Sequence, residues 1–271
     1  MILDFHTHVF PDRIAGKTIQ HLSQKGGIPP FSNGQADGLL REMEQAGVHV
    51  AVNLPVLTNP SQFDSVNRFS EELNARFANE SRRILSFAGI HPLCEDLEGK
   101  MAWIAEHGFL GIKLHPDYQE TFINDERYVR ILRAARELDL IVVTHAGFDV
   151  AYPDSPIRCT PSRVLDLLDK APHSKLVLAH MGGCTLWDQV LEMLCGADVY
   201  LDTAYALPFI GKETFLEMVE KHGEDRILFG SDSPWNSIPG DVEILRSFDL
   251  EKTTEEKIFS KNGMALLGIQ E

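Results

Sequence analysis

Along the whole chain, short runs of apolar and β-branched residues alternate with longer amphipathic segments, and this alternation restricts the fold more than any other feature. The strand-type runs are 2–5, 48–53, 84–90, 109–114, 140–144, 175–179, 198–202 and 226–230. Helix-type segments lie between them at 37–46, 62–79, 97–107, 125–138, 162–170, 186–194, 209–222 and 241–248, and 254–267 closes the chain. Leu140-Ile141-Val142-Val143 and Leu176-Val177-Leu178-Ala179 are apolar at every position, as strands of a parallel sheet covered on both faces should be. Eight β-then-α units in 271 residues, without a linker or a break in composition, predict a single (β/α)8 TIM barrel over residues 1–271. An open doubly wound sheet is the structural alternative.

The longest irregular stretch, 26–34, lies between the first and second strands and reads either as a lid near the substrate or as a surface insertion. A net charge of −15 works against phosphate backbones and anionic lipid, so no nucleic-acid partner is expected. The chain has neither a secretory leader pattern nor ~20 consecutive apolar residues, so no membrane association and a cytoplasmic location are expected. Cys94, Cys159, Cys184 and Cys195 form no CxxC pair, which argues against both a disulfide framework and a thiolate metal site.

Chemistry collects at the strand ends. His6 and His8 stand two apart on the first strand, so both rings leave one side of an extended backbone in a chelating geometry. His91, His115, His145 and His180 each follow a strand-type run directly, at the end where a barrel builds its active site. Asp232 ends the eighth strand, which pairs with the first in a closed barrel and so lies across from the His6/His8 pair. An aspartate there could equally cap a helix. Beside the histidines it suggests imidazoles and a carboxylate around a zinc-type ion with room for water.

His6-Thr7-His8, Gly111-Ile112-Lys113-Leu114-His115-Pro116, Thr144-His145, Leu178-Ala179-His180-Met181-Gly182-Gly183 and Phe229-Gly230-Ser231-Asp232-Ser233-Pro234-Trp235 occur in this order on strands one, four, five, six and eight. In this the chain resembles the amidohydrolase superfamily, in particular its amidohydrolase-2, or amidohydrolase-related, branch. The resemblance implies metal ligation by His6, His8 and His145, with Asp232 completing the site and accepting a proton from metal-bound water. His180 would ligate a second metal or polarise the substrate. Zinc is the first expectation, manganese or another divalent ion the alternative.

In some relatives a lysine at the position of Lys113 is carboxylated and bridges two metals. Here the lysine is expected to be a plain ammonium that pairs with Asp232 or a substrate carboxylate, so one ion is expected, and two only if Lys113 is carboxylated. His91, His115, Arg158 and Trp235 are weaker candidates for lining the pocket or binding substrate, each with an ordinary structural role as its alternative. The leading expectation is a metal-dependent hydrolase acting on a C–N or C–O bond of a small amide, cyclic amide or lactone. The alternative is a non-oxidative decarboxylase or hydratase of an unsaturated or aromatic acid, and a non-enzymatic metal-binding barrel comes last. The chain is expected to work as a monomer or a homodimer.

Overall fold

Strands that are apolar on both faces need cover on both, and here they form a ring with helices outside. The computed structural model describes residues 1–269. Its strands are β1 Leu3–Thr7, β2 Val50–Asn53, β3 Arg83–Ser86, β4 Ala88–Gly89, β5 Gly111–Leu114, β6 Ile141–Thr144, β7 Leu176–Leu178, β8 Tyr200–Asp202 and β9 Ile227–Leu228. β3 and β4 are two pieces of one barrel strand interrupted at Phe87, so nine pieces make the eight staves expected from the sequence.

Every pairing is parallel, in the orders β1-β2-β3 and β4-β5-β6-β7-β8-β9. Backbone bonds from Phe5 N to Phe229 O (2.8 Å), Asp232 N to His6 O (2.8 Å) and His8 N to Ser233 O (2.7 Å) join the last stave to the first. The fold is thus a TIM barrel.

Alternate residues divide between two cores. Ile141 and Val143 join Phe5, Phe87, Val177 and Leu228 in the inner cluster, while Val142 joins Ile112, Leu114 and Leu178 in the layer under the helices. This division is the period of two expected of a strand. The closing helix, Asn262–Leu267, adds Met264, Leu266 and Leu267 to the inner cluster.

The helices are α1 Asp12–Gly26, α2 Ala36–Ala46, α3 Phe63–Phe77, α4 Leu97–Glu106, α5 Glu126–Glu137, α6 Pro161–Lys170, α7 Trp187–Met193, α8 Leu207–Ile210, α9 Lys212–His222, α10 Ile238–Ser247, α11 Lys252–Glu256 and α12 Asn262–Leu267. Among the described residues no helix is long and apolar enough to cross a membrane.

Three departures from the sequence pattern have local causes. The segment 209–222 is two helices, because Gly211 takes φ 74 and ψ 148, a combination that glycine tolerates and a helix does not. The closing segment contains a π-helical turn, Lys257–Lys261, and within it Ile258 O accepts the Phe229 N–H of the last stave (2.9 Å). Helix α1 was not expected at all. Only Ala15 and Ile19 of α1 are buried, and its Ile14 and Leu22 face the cavity described below. Its far end is held by Lys25, whose Nζ lies 3.5 Å from the ring centre of Tyr152 and 4.9 Å from that of Tyr118.

One buried amide ties the loops at the top of the barrel. Gln119 Nε2 donates to Leu57 O (3.1 Å) and Ile90 O (2.7 Å), and its Oε1 accepts from His115 N (3.2 Å) and the Tyr128 hydroxyl (2.6 Å). The segments following β2, β4 and β5 thereby meet on one side chain.

Candidate active site

The end of β1 carries the first cluster. The β1/β2 register shifts between Asp4 and Thr7, an irregularity of the kind that re-aims side chains next to active sites. Gly230 lets the last stave come close, since a Cβ there would stand 2.9 Å from His6 Cβ. His6 Nδ1 donates to Asp202 Oδ2 (2.8 Å), which leaves the Nε2 lone pair 3.4 Å from Asp232 Oδ1. His8 is arranged the same way, with Nδ1 donating to Leu54 O (2.9 Å) and Nε2 lying 3.0 Å from Asp232 Oδ1.

Two lone pairs and a carboxylate oxygen, all within 4.8 Å of one another, therefore face each other. Acceptors converging in this way repel unless a cation lies among them, and two imidazoles with a carboxylate fit a divalent metal ion. The carbonyl and carboxylate behind each ring are the partners that fix a metal-binding tautomer. Lys113 Nζ, 1% exposed, approaches His6 Nε2 at 3.1 Å. Among the described residues it has no carboxylate oxygen within 4.0 Å, so the pairing with Asp232 allowed by the sequence is not made.

Electrostatics support these assignments. Burial, then the Lys113 charge, hold His6 well below its ordinary value, so its ring is neutral and able to ligate. Burial would raise Asp232, but its contact with the His8 imidazole, 3.0 Å away, outweighs burial and holds the carboxylate at about 2. Burial pulls Lys113 down to about 8, against the opposing pull of Asp202 and Asp232. Both Asp232 (φ 69) and His180 (φ 59) sit in the left-handed region. Strain of this kind gathers at functional sites, and here the bonds Asp232 N to His6 O and His180 N to Asp202 Oδ1 (2.9 Å) hold it.

The expected ligand set is divided. His6, His8 and Asp232 form one group, whereas His145 forms another with His115 and Asp149. His180 lies between them, with its ring centre 5.4 Å from that of His6 and 4.7 Å from that of His145. His180 Nδ1 donates to Ala204 O (2.8 Å), and its Nε2 meets His145 Nδ1 at 2.9 Å.

Both groups, together with Lys113 and His180, line a cavity of about 400 Å³, with apolar walls from Val9, Phe10, Ile14, Leu54, Phe69 and Phe148. Trp235 lines it too. His91 and Arg158 do not. The His91 ring accepts from Leu93 N (3.1 Å), and Arg158 is engaged with Asp117 Oδ1 (3.3 Å).

Sequence reasoning missed Asp202, Asp117 and Asp149. Asp202 ends the seventh strand-type run, the same kind of position that singled out the histidines, and could have been found there. Besides His6 it accepts from the backbone N–H groups of His180 and Ala204. Asp202→Asn is expected to weaken metal binding about 10–100-fold, the usual effect of removing a ligand's supporting partner. Metal-competition titration checks it.

A family model described as Amidohydrolase matches residues 4–269. No curated protein matches the chain. Among solved structures, dihydroxybenzoic acid decarboxylase from Polaromonas sp. JS666, with bound manganese and the inhibitor 2-nitroresorcinol, aligns with a TM-score of 0.74 and 16% identity over 98% of this chain and 96% of that one. A mutant of 5-carboxyvanillate decarboxylase from Novosphingobium aromaticivorans, with bound manganese and 3-methoxy-4-hydroxy-5-nitrobenzoic acid, aligns at 0.73 and 15% over 99% and 97%. The 2,6-dihydroxybenzoate decarboxylase from Rhizobium aligns at 0.68 and 17% over 98% of each chain.

Identities this low establish the shared barrel. The decarboxylases among these relatives nevertheless overturn the expectation of hydrolysis drawn from the sequence. The error has a physical source: metal ligands on strand ends hold and polarise an oxygen-bearing substrate whichever bond then breaks, so their spacing does not select a reaction.

Proposed function

The chain belongs to the amidohydrolase family, and on that premise we propose that it is a metal-dependent, non-oxidative decarboxylase of a small aromatic or unsaturated carboxylic acid. The observation that carries this reading is the cavity floor. There a buried lysine, with no carboxylate oxygen within 4.0 Å among the described residues, stands beside a two-histidine, one-carboxylate cluster, under apolar walls. Decarboxylases of hydroxybenzoate type with this fold support it.

His6, His8 and Asp232 are the residues that would hold the ion, and manganese is the first ion to load, because two of these relatives contain it. A divalent ion held there would bind and polarise oxygen atoms of the substrate. The chain's own groups do the rest. The Lys113 ammonium attracts the carboxylate into the cavity, and the apolar walls and Trp235 exclude water. The bond between the carboxyl carbon and the substrate carbon then breaks. Its electron pair stays on the substrate carbon, carbon dioxide leaves, and a proton takes its place.

Asp232 is ionised at rest and must gain a proton before it can give one. A hydroxyl of the substrate beside the carboxylate is a suitable source, and Asp232 returns that proton to the carbon. The test is a panel of hydroxybenzoates, unsaturated acids, amides and lactones offered to manganese-loaded protein. Release of carbon dioxide from an acid is expected, and turnover confined to amides or lactones would contradict the reading. Lys113→Met is expected to lower kcat/KM for the acid about 10–100-fold, as loss of a charge-assisted hydrogen bond does. Most of the change should appear in KM, measured by steady-state kinetics.

A further inference from the structure

We infer that the acid this cavity takes carries an apolar substituent, an alkyl chain or a second ring, which lies between helices α1 and α3. The inference rests on the decarboxylase reading only in taking the substrate for an acid. The cavity volume of about 400 Å³ matches pockets that enclose drug-sized ligands, ~300–1,000 Å³. A single-ring acid has only about ten non-hydrogen atoms, fewer than such ligands, so one held at Lys113 leaves part of the space unfilled.

The unfilled part runs outward between two helices. From α1 come Ile14, Thr18 and Leu22, spaced four apart so that they form one stripe along the helix. From α3 come Val66 and Phe69, three apart, and Ile28 adds to the wall just past the end of α1. Ile14, Leu22 and Ile28 pack into neither hydrophobic core, and Ile14 is 44% exposed. A helix ordinarily turns its apolar stripe to the core. One that turns it to a cavity leaves that stripe wet until an apolar group covers it.

Polar groups along this branch are already occupied by their own loop. Thr58 Oγ1 donates to Gln62 Oε1 (3.3 Å), which also accepts from the Thr58 and Asn59 N–H groups (2.8 and 3.1 Å). Ser65 Oγ donates to Gln62 O (3.2 Å). Arg13 is the one charged side chain that α1 and α3 bring to the cavity, and it is exposed. Among the described residues neither helix adds a buried charge, so the branch favours carbon.

The branch is also preformed. Phe10 N donates to Gly34 O (2.8 Å) near one end of α1, and Lys25 lies over the Tyr152 ring at the other. A substituent therefore enters without having to order the wall around it.

The test measures, by titration calorimetry on manganese-loaded protein, the binding of hydroxybenzoates that carry a methyl, propyl or pentyl chain meta or para to the carboxylate. At one of these ring positions affinity is expected to rise about fourfold per methylene, so roughly 15-fold from methyl to propyl. Leu22→Asn makes one wall polar, and Val66→Trp fills the branch from the other. Each is expected to bring the propyl-to-methyl ratio below threefold. Both positions are partly exposed, and a ratio taken within one variant cancels any general weakening.

A ratio below threefold at every ring position would overturn the inference, as would a ratio that survives both variants or a series with no measurable binding at all. Binding is read without turnover, so the two proposals fail separately. Tight binding of a propyl acid with no release of carbon dioxide keeps this inference and refutes the decarboxylase reading. Release of carbon dioxide along a series of flat affinity does the reverse.

Discussion

Asp232→Asn is expected to reduce turnover about 10³-fold or more, in line with the loss of a positioned acid–base group, while leaving the fold intact. The backbone at this position takes φ 69, a conformation that asparagine accepts as readily as aspartate. The flanking bonds, Asp232 N to His6 O and Trp235 N to Asp232 O (both 2.8 Å), use main-chain atoms and survive the change. What is lost is the charge. The amide cannot carry a proton to carbon, and it turns either a neutral oxygen or an N–H toward the lone pairs of His6 and His8. Metal content and kcat should therefore fall together, with the thermal midpoint nearly unchanged. Activity within tenfold of the parent would remove Asp232 from the chemistry.

Gln119→Ala should act on stability instead. It strips partners from Leu57 O, Ile90 O, His115 N and the Tyr128 hydroxyl, all on buried residues at the top of the barrel. Each buried polar group left bare costs about 1–3 kcal/mol, and some will recover a water, so a loss of about 4 kcal/mol is expected. That is a large part of the ~5–15 kcal/mol by which folded proteins are stable. For a chain of this size it corresponds to a fall of about 10 °C in melting temperature. Calorimetry measures it, and a shift under two degrees would show that the hub is dispensable. Because Gln119 holds the His115 backbone, the same variant should also loosen that wall of the cavity.

The sequence made the staves legible because parallel strands covered on both faces have to be apolar at every position, and few other segments are. The cluster at the end of β1 was legible for a related reason, since His6, His8 and Asp232 lie on or just past strands whose neighbours the barrel topology dictates. Helix α1 was hidden because its apolar residues Ile14 and Leu22 turn to the cavity and not to the barrel core, so its pattern is too thin to read as a packed helix. Asp149 and Asp117 sit in loops, where nothing local distinguishes a carboxylate aimed at a stacked imidazole from one in solvent. The regrouping of His145 with His115 depends on ring orientation, which strand spacing does not encode. The reaction was the least legible of all, because one set of ligands on one barrel supports both addition of water and loss of carbon dioxide.

The central claim is that the cavity removes a carboxyl group and replaces it with a proton. It is tested most directly with a hydroxybenzoate, labelled with carbon-13 at the carboxyl carbon, turned over by manganese-loaded protein in heavy water. One labelled carbon dioxide per product is predicted, with one deuterium on the vacated carbon and no oxygen gained from solvent. A labelled carboxyl that stays on the substrate, while the same protein hydrolyses an amide or lactone offered in its place, would contradict it.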